Sequence, residues 1–334
     1  MKVCLYHKNC NDGLFAAYAC WLKFRNEAIY IPVNYKPIQD MEPQEALDYI
    51  FNPEQGSKID AIGNSQYQVN QVNPKTYKDI DLYVVDYSFP VSHFKHHGKL
   101  FKSVTVLDHH DSAIKAYLNE YIGEKEGSRI TIPFDNPSLN VIFATEESGA
   151  KLAYSYLFPD ETIPEIIELV SDRDLWKFKL KNTKAFHKGI KLLNIENFFN
   201  LNLTVKSDLS RVLDIGEIFE NELTSRISKV KNSGLTPISI NLLGHTYSGA
   251  IINSYPDIAS DLCSSILSEG YSIAIVYSIG KNNTVSYSVR SIPGVDSSII
   301  STKHRGGGHQ QASGFTSNLD SLFFILNSRG LEIE

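Results

Sequence analysis

The sequence predicts an α/β protein of two domains, in which a helical connector joins a parallel-sheet domain to a smaller α/β domain. The chain has 334 residues, 42% of them hydrophobic, so it is long enough for two ordinary cores and too apolar to be disordered. In the first half, short apolar runs alternate with helix-like segments. After a long helical stretch, strand-like runs return and indicate the second domain.

Four apolar runs predict buried strands of the first domain: 3–6, 28–33, 82–85 and 104–107. The Ala-rich segment 12–25 lies between the first two and has helical spacing, which gives the β-α-β order of a doubly wound sheet. The segment 64–79 is rich in Gln, Asn and Tyr and is predicted to be a loop or a variable insertion.

The second half of the chain predicts a connector followed by a mixed domain. Residues 186–231 mix Leu, Ile, Phe and charged residues at helical spacing, and Asn232-Ser233-Gly234 marks the end of this stretch. The runs that follow predict four strands, 238–243, 250–252, 271–279 and 284–289, with a helix at 258–269 and a hairpin turn at 280–283. We therefore expect domains at 1–185 and 235–334, joined by a connector at 186–234.

Composition narrows the class of partner. A formal charge of -6 argues against a protein that coats long duplex nucleic acid, but it leaves a small phosphorylated substrate open. The four cysteines are scattered without a C-x-x-C pair, which is typical of a reduced, cytoplasmic protein. We find no apolar secretion segment at the start and no apolar window of about twenty residues, so we expect no membrane association.

Polar clusters follow three of the predicted strands. They lie at 7–13, at Asp86 and at 108–111, where parallel sheets place their ligand sites. One Asp after a strand is more often a helix cap, whereas three clusters at one sheet edge predict a site. Carboxylates and imidazoles together favour Mn²⁺ or Mg²⁺, and two such ions would favour hydrolysis of a phosphodiester.

Four further segments stand in order around Asp108-His109-His110: 7–13, Asp86, 171–176 and 305–315. Together they resemble the motifs of the DHH phosphoesterases, a family named for the Asp-His-His tripeptide. The last segment resembles the glycine-rich motif of the DHH-associated substrate-binding domain. The resemblance spans residues 7 to 315, nearly the whole chain.

The resemblance implies roles for individual residues. The implied metal ligands are His7, Asp12, Asp86, Asp108, His109 and Asp172, with Asp86 as the bridge between two ions and Asp174 as a rival for the place of Asp172. The implied catalytic residues are Asp108, His109 and His110, of which His110 would orient the attacking water or the phosphate. Trp176 and Phe178 are predicted to pack in the core, and a stacking platform is the alternative for them.

The first motif departs from the common family pattern, His-x-Asp-x-Asp-Gly. Here the stretch from His7 to Gly13 is one residue longer and has a single acidic residue, Asp12. Three alternatives follow: Asn9 supplies an amide oxygen, Cys10 lies near the metal, or one metal site is weakened.

The glycine run of the second half predicts substrate binding. Consecutive glycines let the backbone approach a phosphate and expose N–H groups to it. The predicted substrate-binding residues are Arg290, Arg305, Gly306, Gly307, Gly308 and His309, of which Arg290 rests on the family resemblance.

The function that the resemblance implies is hydrolysis of short oligonucleotides, cyclic dinucleotides or related small nucleotides, by a hydroxide bound to two Mn²⁺ or Mg²⁺ ions. A single-strand exonuclease would need a basic, aromatic-lined channel. A non-catalytic nucleotide-binding protein is disfavoured because Asp86 and Asp108 are both present. The glycine-rich motif counts against a pyrophosphatase or polyphosphatase. The sequence leaves a homodimer open.

Overall fold

The computed structural model describes residues 1–51, 74–192 and 206–333, which form two compact units, Met1–Glu220 and Asn221–Glu334. The boundary falls inside a long helix, Lys206–Gly234. Part of the predicted connector, residues 193–205, and the first part of the predicted loop, residues 64–73, lie outside the described residues. Among the helices that are described, none is long and apolar enough to cross a bilayer.

The first unit alternates strands with helices, as the apolar runs predict. Its strands are β1 (Lys2–His7), β2 (Ala28–Val33), β3 (Asp81–Val85), β4 (Ser103–Asp108), β5 (Glu124–Glu126), β6 (Arg129–Ile132) and β7 (Leu139–Ala144). Its helices are α1 (Asn11–Phe24), α2 (Pro43–Ile50), α3 (Val91–Leu100), α4 (Asp111–Leu118), α5 (Gly149–Leu157), α6 (Glu165–Asp174), α7 (Thr183–Leu192) and the start of α8 (Lys206–Gly234), with short helical segments at Arg25–Glu27, Tyr35–Ile38 and Pro74–Asp79. The four predicted strands and the predicted first helix are present within one residue at each end.

The sheet of this unit has the order β2-β1-β3-β4-β7-β6-β5. The first five strands in that order are parallel, and β6 and β5 extend the sheet in antiparallel fashion. The chain moves from β1 outward to β2 and then returns to β3 on the other side of β1. This reversal is a topological switch point, and it opens a crevice at the carboxyl ends of β1 and β3.

Helices cover both faces of the sheet, so the buried strands have no polar face. In β1, Cys4 and Tyr6 pack with α1, α5 and α6, whereas Val3 and Leu5 pack with α2, α3 and α4. This alternation explains why β1 reads as a continuous apolar run, which the period-2 geometry of a strand requires when both faces are buried. Polar side chains therefore follow the strands, beyond their packed faces, and there they can form a site.

The second unit is a mixed sheet with the order β12-β13-β11-β10-β9-β8-β14. Its strands are β8 (Thr236–Leu242), β9 (His245–Asn253), β10 (Ile273–Ile279), β11 (Val285–Ser291), β12 (Gly307–His309), β13 (Ala312–Ser317) and β14 (Gly330–Ile333). Its helices are the end of α8, α9 (Ala259–Leu267), α10 (Ser298–Lys303) and α11 (Leu319–Ser328), with short segments at Pro256–Ile258 and Lys281–Asn283. The predicted hairpin is present, because β10 and β11 pair antiparallel across residues 280–284.

Two glycines let α7 and α8 approach each other until their backbones touch. A Cβ on Gly216 would lie 1.7 Å from the carbonyl oxygen of Ala185, and a Cβ on Gly189 would lie 2.1 Å from that of Val212. Both contacts are to backbone atoms, which cannot rotate away as a flexible side chain could. The helical part of the first unit therefore depends on glycine at these two crossings.

We expect Gly216→Ala to destabilise the protein by about 1–3 kcal/mol or more, because the added methyl group overpacks the helix crossing. Gly234→Ala is the matched control, since a Cβ there meets nothing within 4 Å. Urea unfolding of both variants measures the difference. Equal stability of the two would contradict the close approach.

Candidate active site

Three parallel strands deliver polar side chains to the crevice at the switch point. β1 ends at His7, β3 is followed by Asp86, and β4 ends at Asp108. The segment after β4 then supplies His109 and His110, and α1 begins with Asp12 in its first turn. The first three sequence clusters therefore meet at one edge of the sheet, as their positions after the strands predict.

His109 lies at the centre of three carboxylates. Its Nε2 atom is 3.2 Å from Asp86 Oδ1, 3.4 Å from Asp12 Oδ2 and 3.6 Å from Asp174 Oδ2. These side chains come from three separate parts of the chain, namely α1, the end of β3 and the end of α6. So dense a collection of negative charge needs a compensating cation.

Asp86 is the most deeply buried member of this group. Its exposed fraction is 0%, and neither carboxylate oxygen has a hydrogen-bond partner among the described residues. Its φ of 52° is in the left-handed region, which Asp tolerates better than most residues. A Cβ on Gly149 would lie 2.6 Å from Asp86 Oδ1, so glycine is needed where α5 begins. A buried carboxylate without a hydrogen-bond partner is costly unless a ligand or a charged neighbour such as His109 compensates it.

Asp12 is held by the first turn of α5. Its oxygens accept hydrogen bonds from the backbone N–H groups of Gly149 (2.5 Å) and Ala150 (3.0 Å), where the helix dipole favours negative charge. Burial nevertheless raises the pKa of Asp12, and the charges of Asp86 and Asp174 raise it further. The backbone thus fixes the position of a carboxylate that its neighbours repel.

Asp108 has a different environment, because its oxygens are already engaged. Oδ2 accepts a hydrogen bond from Ser88 Oγ at 2.6 Å, and Oδ1 accepts one from the backbone N–H of His109 at 2.7 Å. Oδ1 also lies 2.7 Å from His110 Nδ1. Burial lowers the pKa of His110, but the contact with Asp108 and its charge raise it overall. Asp108 therefore orients the His110 ring.

The pKa values of His109 and Asp86 show that positive charge stabilises the cluster. Burial disfavours a charged imidazole, yet Asp86, Asp12 and Asp174 together raise the pKa of His109 to about 9. Burial likewise raises the pKa of Asp86, but the neighbouring His109 and His7 rings outweigh it and lower that pKa to about 2. In this state a proton on His109 supplies the charge that a metal ion would otherwise provide.

Three sets of side chains place their ligand atoms within 4.8 Å of one another: His7, Cys10 and Asp86; Asp86, His109 and His110; Asp12, His109 and Asp174. The donor atoms fit a divalent cation, because they are mainly carboxylate oxygens and imidazole nitrogens. The Nδ1 atom of His7 is buried and has no hydrogen-bond partner within the described part of the chain, as is true of both Asp86 oxygens. Metal ligation would satisfy all three atoms.

Asp172 and Asp174 have separate environments. The carboxylate of Asp172 accepts hydrogen bonds from the backbone N–H groups of Lys179 (2.9 Å) and Leu180 (3.1 Å) and from the hydroxyl of Thr183. The structure does not bring Asp172 into any of the three candidate sets, whereas Asp174 belongs to one. Both lie in the last turn of α6, where residues two positions apart point to different sides of the helix.

A cavity of 410 Å³ in the first unit adjoins the cluster. Cys10, Asp12 and Asp174 form part of its wall, and Arg173 and Lys191 add positive charge. The rest of the lining is apolar at Leu169, Val170, Phe186 and Ile190 and polar at Asn9, Asn11 and His187. The cavity therefore combines an apolar wall with cations beside the carboxylates, which suits an anionic organic ligand.

In the second unit, the glycine-rich segment forms an edge strand. β12 pairs with β13, and Gly306, Gly307, Gly308 and His309 are exposed. His309 and Arg290 both lie opposite Ala312 in the register, so they project from one face of the sheet, two strand spacings or about 10 Å apart. Arg290 donates to Ser260 Oγ (2.9 Å) and Arg305 is exposed with a φ of 60°. The substrate-binding residues predicted in this half thus lie on β11, on β12 or directly before β12.

Comparison with known proteins gives the fold. No family model matches the chain. The chain is 26% identical over 330 residues to an uncharacterized protein of Acanthamoeba polyphaga mimivirus, covering 94% of this chain and 67% of that protein. It resembles the structure of a pGpG-specific phosphodiesterase from Vibrio cholerae with a TM-score of 0.52 and 10% identity, over 98% of this chain and 96% of that chain. An uncharacterized protein from Helicobacter pylori G27 aligns with 98% of this chain and 99% of its own, with a TM-score of 0.34 and 16% identity. The predicted two-domain α/β fold is confirmed.

We expect Mn²⁺ to raise the thermal stability of the protein, by about 2.7 kcal/mol at a hundredfold excess over its dissociation constant. Asp174→Asn should reduce this Mn²⁺-dependent rise in Tm, because it removes a charged oxygen ligand. Asp172→Asn should retain the rise and lower the starting Tm, since each hydrogen bond to a charged group contributes about 1.5–3 kcal/mol. Thermal unfolding with and without Mn²⁺ tests both variants. The reverse pattern would show that Asp172 is the ligand.

Proposed function

We propose that the chain is a metal-dependent phosphoesterase of the DHH type that hydrolyses phosphodiester bonds in short oligonucleotides, cyclic dinucleotides or related small nucleotides. The observation that carries this proposal is the buried carboxylate cluster around His109, in which Asp86 has two oxygens without partners among the described residues. A cluster of this kind at the switch point of a parallel sheet is suited to binding cations that act on a phosphate.

Of the three candidate ligand sets, two contain Asp86. It stands with His7 and Cys10 in one set and with His109 and His110 in another, and Asp12, His109 and Asp174 form the third. Asp86 lies 3.2 Å from His109 and 3.6 Å from His7, so it can bridge two ions. The proposed cofactors are two Mn²⁺ or Mg²⁺ ions, which when bound would activate a water and neutralise phosphate oxygens. Asp174 takes the place of Asp172 in this proposal.

In this proposal the main role of His110 is to contact the substrate, not to ligate a metal ion. Because its Nδ1 faces Asp108 at 2.7 Å, the ring is fixed and its pKa is raised. The side chain is 31% exposed, so the other ring nitrogen can reach a substrate. A protonated His110 would donate a hydrogen bond to a phosphate oxygen as negative charge develops there. Asp108 is then a positioning residue for His110.

Three features support a small nucleotide as the substrate. The chain has a formal charge of -6, which disfavours tight binding along a nucleic-acid polymer. Within the second unit, Arg290 and His309 lie on one face of the sheet and offer donors that suit a phosphate. The Vibrio cholerae protein of similar fold is a pGpG-specific phosphodiesterase, and pGpG is a dinucleotide. A single-strand exonuclease is the alternative function. It would hydrolyse long single strands faster than dinucleotides.

We expect the purified protein with Mn²⁺ to hydrolyse dinucleotides faster than long single strands or pyrophosphate. Asp86→Asn should lower kcat/KM by more than about 100-fold, because both ions lose their shared ligand. Loss of a residue that only holds a metal ligand in place costs up to about 100-fold. Asp81→Asn, at the opposite end of β3, is the control and should keep full activity. Steady-state assays across the substrates measure both effects. Activity of Asp86→Asn within about tenfold of the parent would rule out the two-ion site.

Cys10 should ligate one of the two ions, because its Sγ belongs to the set with His7 and Asp86. With Co²⁺ as a probe, a thiolate ligand gives a near-ultraviolet charge-transfer absorption. We expect this absorption in the parent and its loss in Cys10→Ser. Asn9→Asp should retain the absorption, since Asn9 is exposed and the Cys10 thiol is unchanged in that variant. A band that survives in Cys10→Ser would place the sulfur away from the ion.

A further inference from the structure

Trp176 is exposed and close in sequence to Asp174 of the carboxylate cluster, and the prediction that it packs in the core is wrong. Its exposed fraction is 61%, and it follows Asp174 by two residues. The other tryptophan of the chain, Trp21, packs against the core of the first unit and is only partly exposed. A large exposed aromatic ring next to a candidate catalytic site needs an explanation, because such rings are enriched where proteins bind ligands.

The loop that carries Trp176 is tightly held. The φ angles of Trp176 (55°) and Phe178 (48°) lie in the left-handed region, where bulky side chains are outliers. Asp172 maintains this conformation, because its carbonyl oxygen accepts the N–H groups of Lys177 (2.9 Å) and Phe178 (3.3 Å). Its carboxylate holds the next two N–H groups, as described above. These hydrogen bonds therefore hold the backbone of the loop that carries Trp176, and strain of this kind concentrates at functional sites.

Arg173 connects the Trp176 ring with the cluster. Its guanidinium carbon lies 4.2 Å from the centre of the Trp176 ring and 5.6 Å from that of Phe178. Phe178 packs edge-on against Trp176, with ring centres 5.0 Å apart. Arg173 also lines the 410 Å³ cavity with Asp12 and Asp174. An arginine that stacks on an aromatic ring and also lines a cavity beside the carboxylate cluster can contact a phosphate and a base at once.

We propose that Trp176 is a stacking platform for the nucleobase of a nucleotide whose phosphate lies at the cluster around His109. The proposal rests on the function proposed above and adds the site that recognises the base. A purine or pyrimidine has a flat π-face that stacks on an exposed indole, whereas a sugar phosphate lacks one. Arg173 stands between the two parts of the ligand and supplies a charged donor for the phosphate. Asp172 is then a positioning residue for this loop.

Fluorescence tests the platform without any hydrolysis. The chain has two tryptophans, so Trp21→Phe leaves Trp176 as the single indole reporter. In the presence of Mg²⁺, we expect guanosine 5′-monophosphate to quench this signal and ribose 5-phosphate, which has the phosphate and no base, to leave it unchanged. The converse variant, Trp176→Phe, should respond to neither compound. Equal responses to both compounds, or no response in Trp21→Phe, would overturn the proposal.

Kinetics test the same platform in catalysis. We expect Trp176→Ala to raise the KM for a dinucleotide by about 10- to 100-fold with kcat nearly unchanged, because the stacking contact exists before the reaction begins. Trp176→Phe should recover part of the loss, and Trp21→Phe should match the parent. A fall in kcat at constant KM would overturn the platform. Base-dependent quenching by a protein that hydrolyses no nucleotide would refute the proposed function and leave the platform standing.

Discussion

The crowding of Asp12, Asp86 and Asp174 around the His109 ring is the interaction on which the first unit depends. Three carboxylates lie within 3.6 Å of one imidazole nitrogen. Like charges at such distances repel strongly where water is excluded, so the arrangement persists only with a cation among them. The glycine at 149 and the left-handed backbone of Asp86 serve this crowding, since each permits a closer approach than an ordinary residue would.

The aspartates of the motifs divide by how completely the protein satisfies them. Asp108 accepts from Ser88 and from the backbone of His109, and Asp172 accepts from the loop after α6. These two therefore build structure: one orients His110 and the other holds the Trp176 loop. Asp86 has no hydrogen-bond partner among the described residues. Burial raises the pKa of Asp174, and the charge of Asp86 also raises it although His109 opposes this effect. An unsatisfied carboxylate is readily available to a ligand, but Asp12 belongs to a candidate ligand set although it accepts hydrogen bonds from two backbone N–H groups.

Local sequence signals predicted the strands and the site edge well, because both depend on short-range patterns. The runs 3–6 and 104–107 are apolar on both faces, and the polar residues that follow them must lie at the carboxyl edge of the sheet. The sequence could not show which of Asp172 and Asp174 belongs to the cluster. Hydrogen bonds from residues 179–183 engage the carboxylate of Asp172 and leave Asp174 for the cluster. Strands β5, β6 and β7 were not predicted. Glu124–Glu126 is exposed and has no apolar pattern, whereas β6 is only four residues long although it alternates buried and half-buried side chains.

Backbone strain in the first unit is concentrated around the proposed binding region. Of its five described non-glycine residues with positive φ, four are Asn9, Asp86, Trp176 and Phe178, and the fifth is Arg25 at the end of α1. Each such residue costs about 1–3 kcal/mol unless the surroundings compensate. Asn9 precedes the candidate ligand Cys10 and Asp86 is itself a candidate ligand, whereas Trp176 is the proposed base platform and Phe178 packs against it. Strain and charge repulsion are therefore greatest where cations and a nucleotide would bind, so the free site is preorganised at the expense of stability and binding would recover part of that stability.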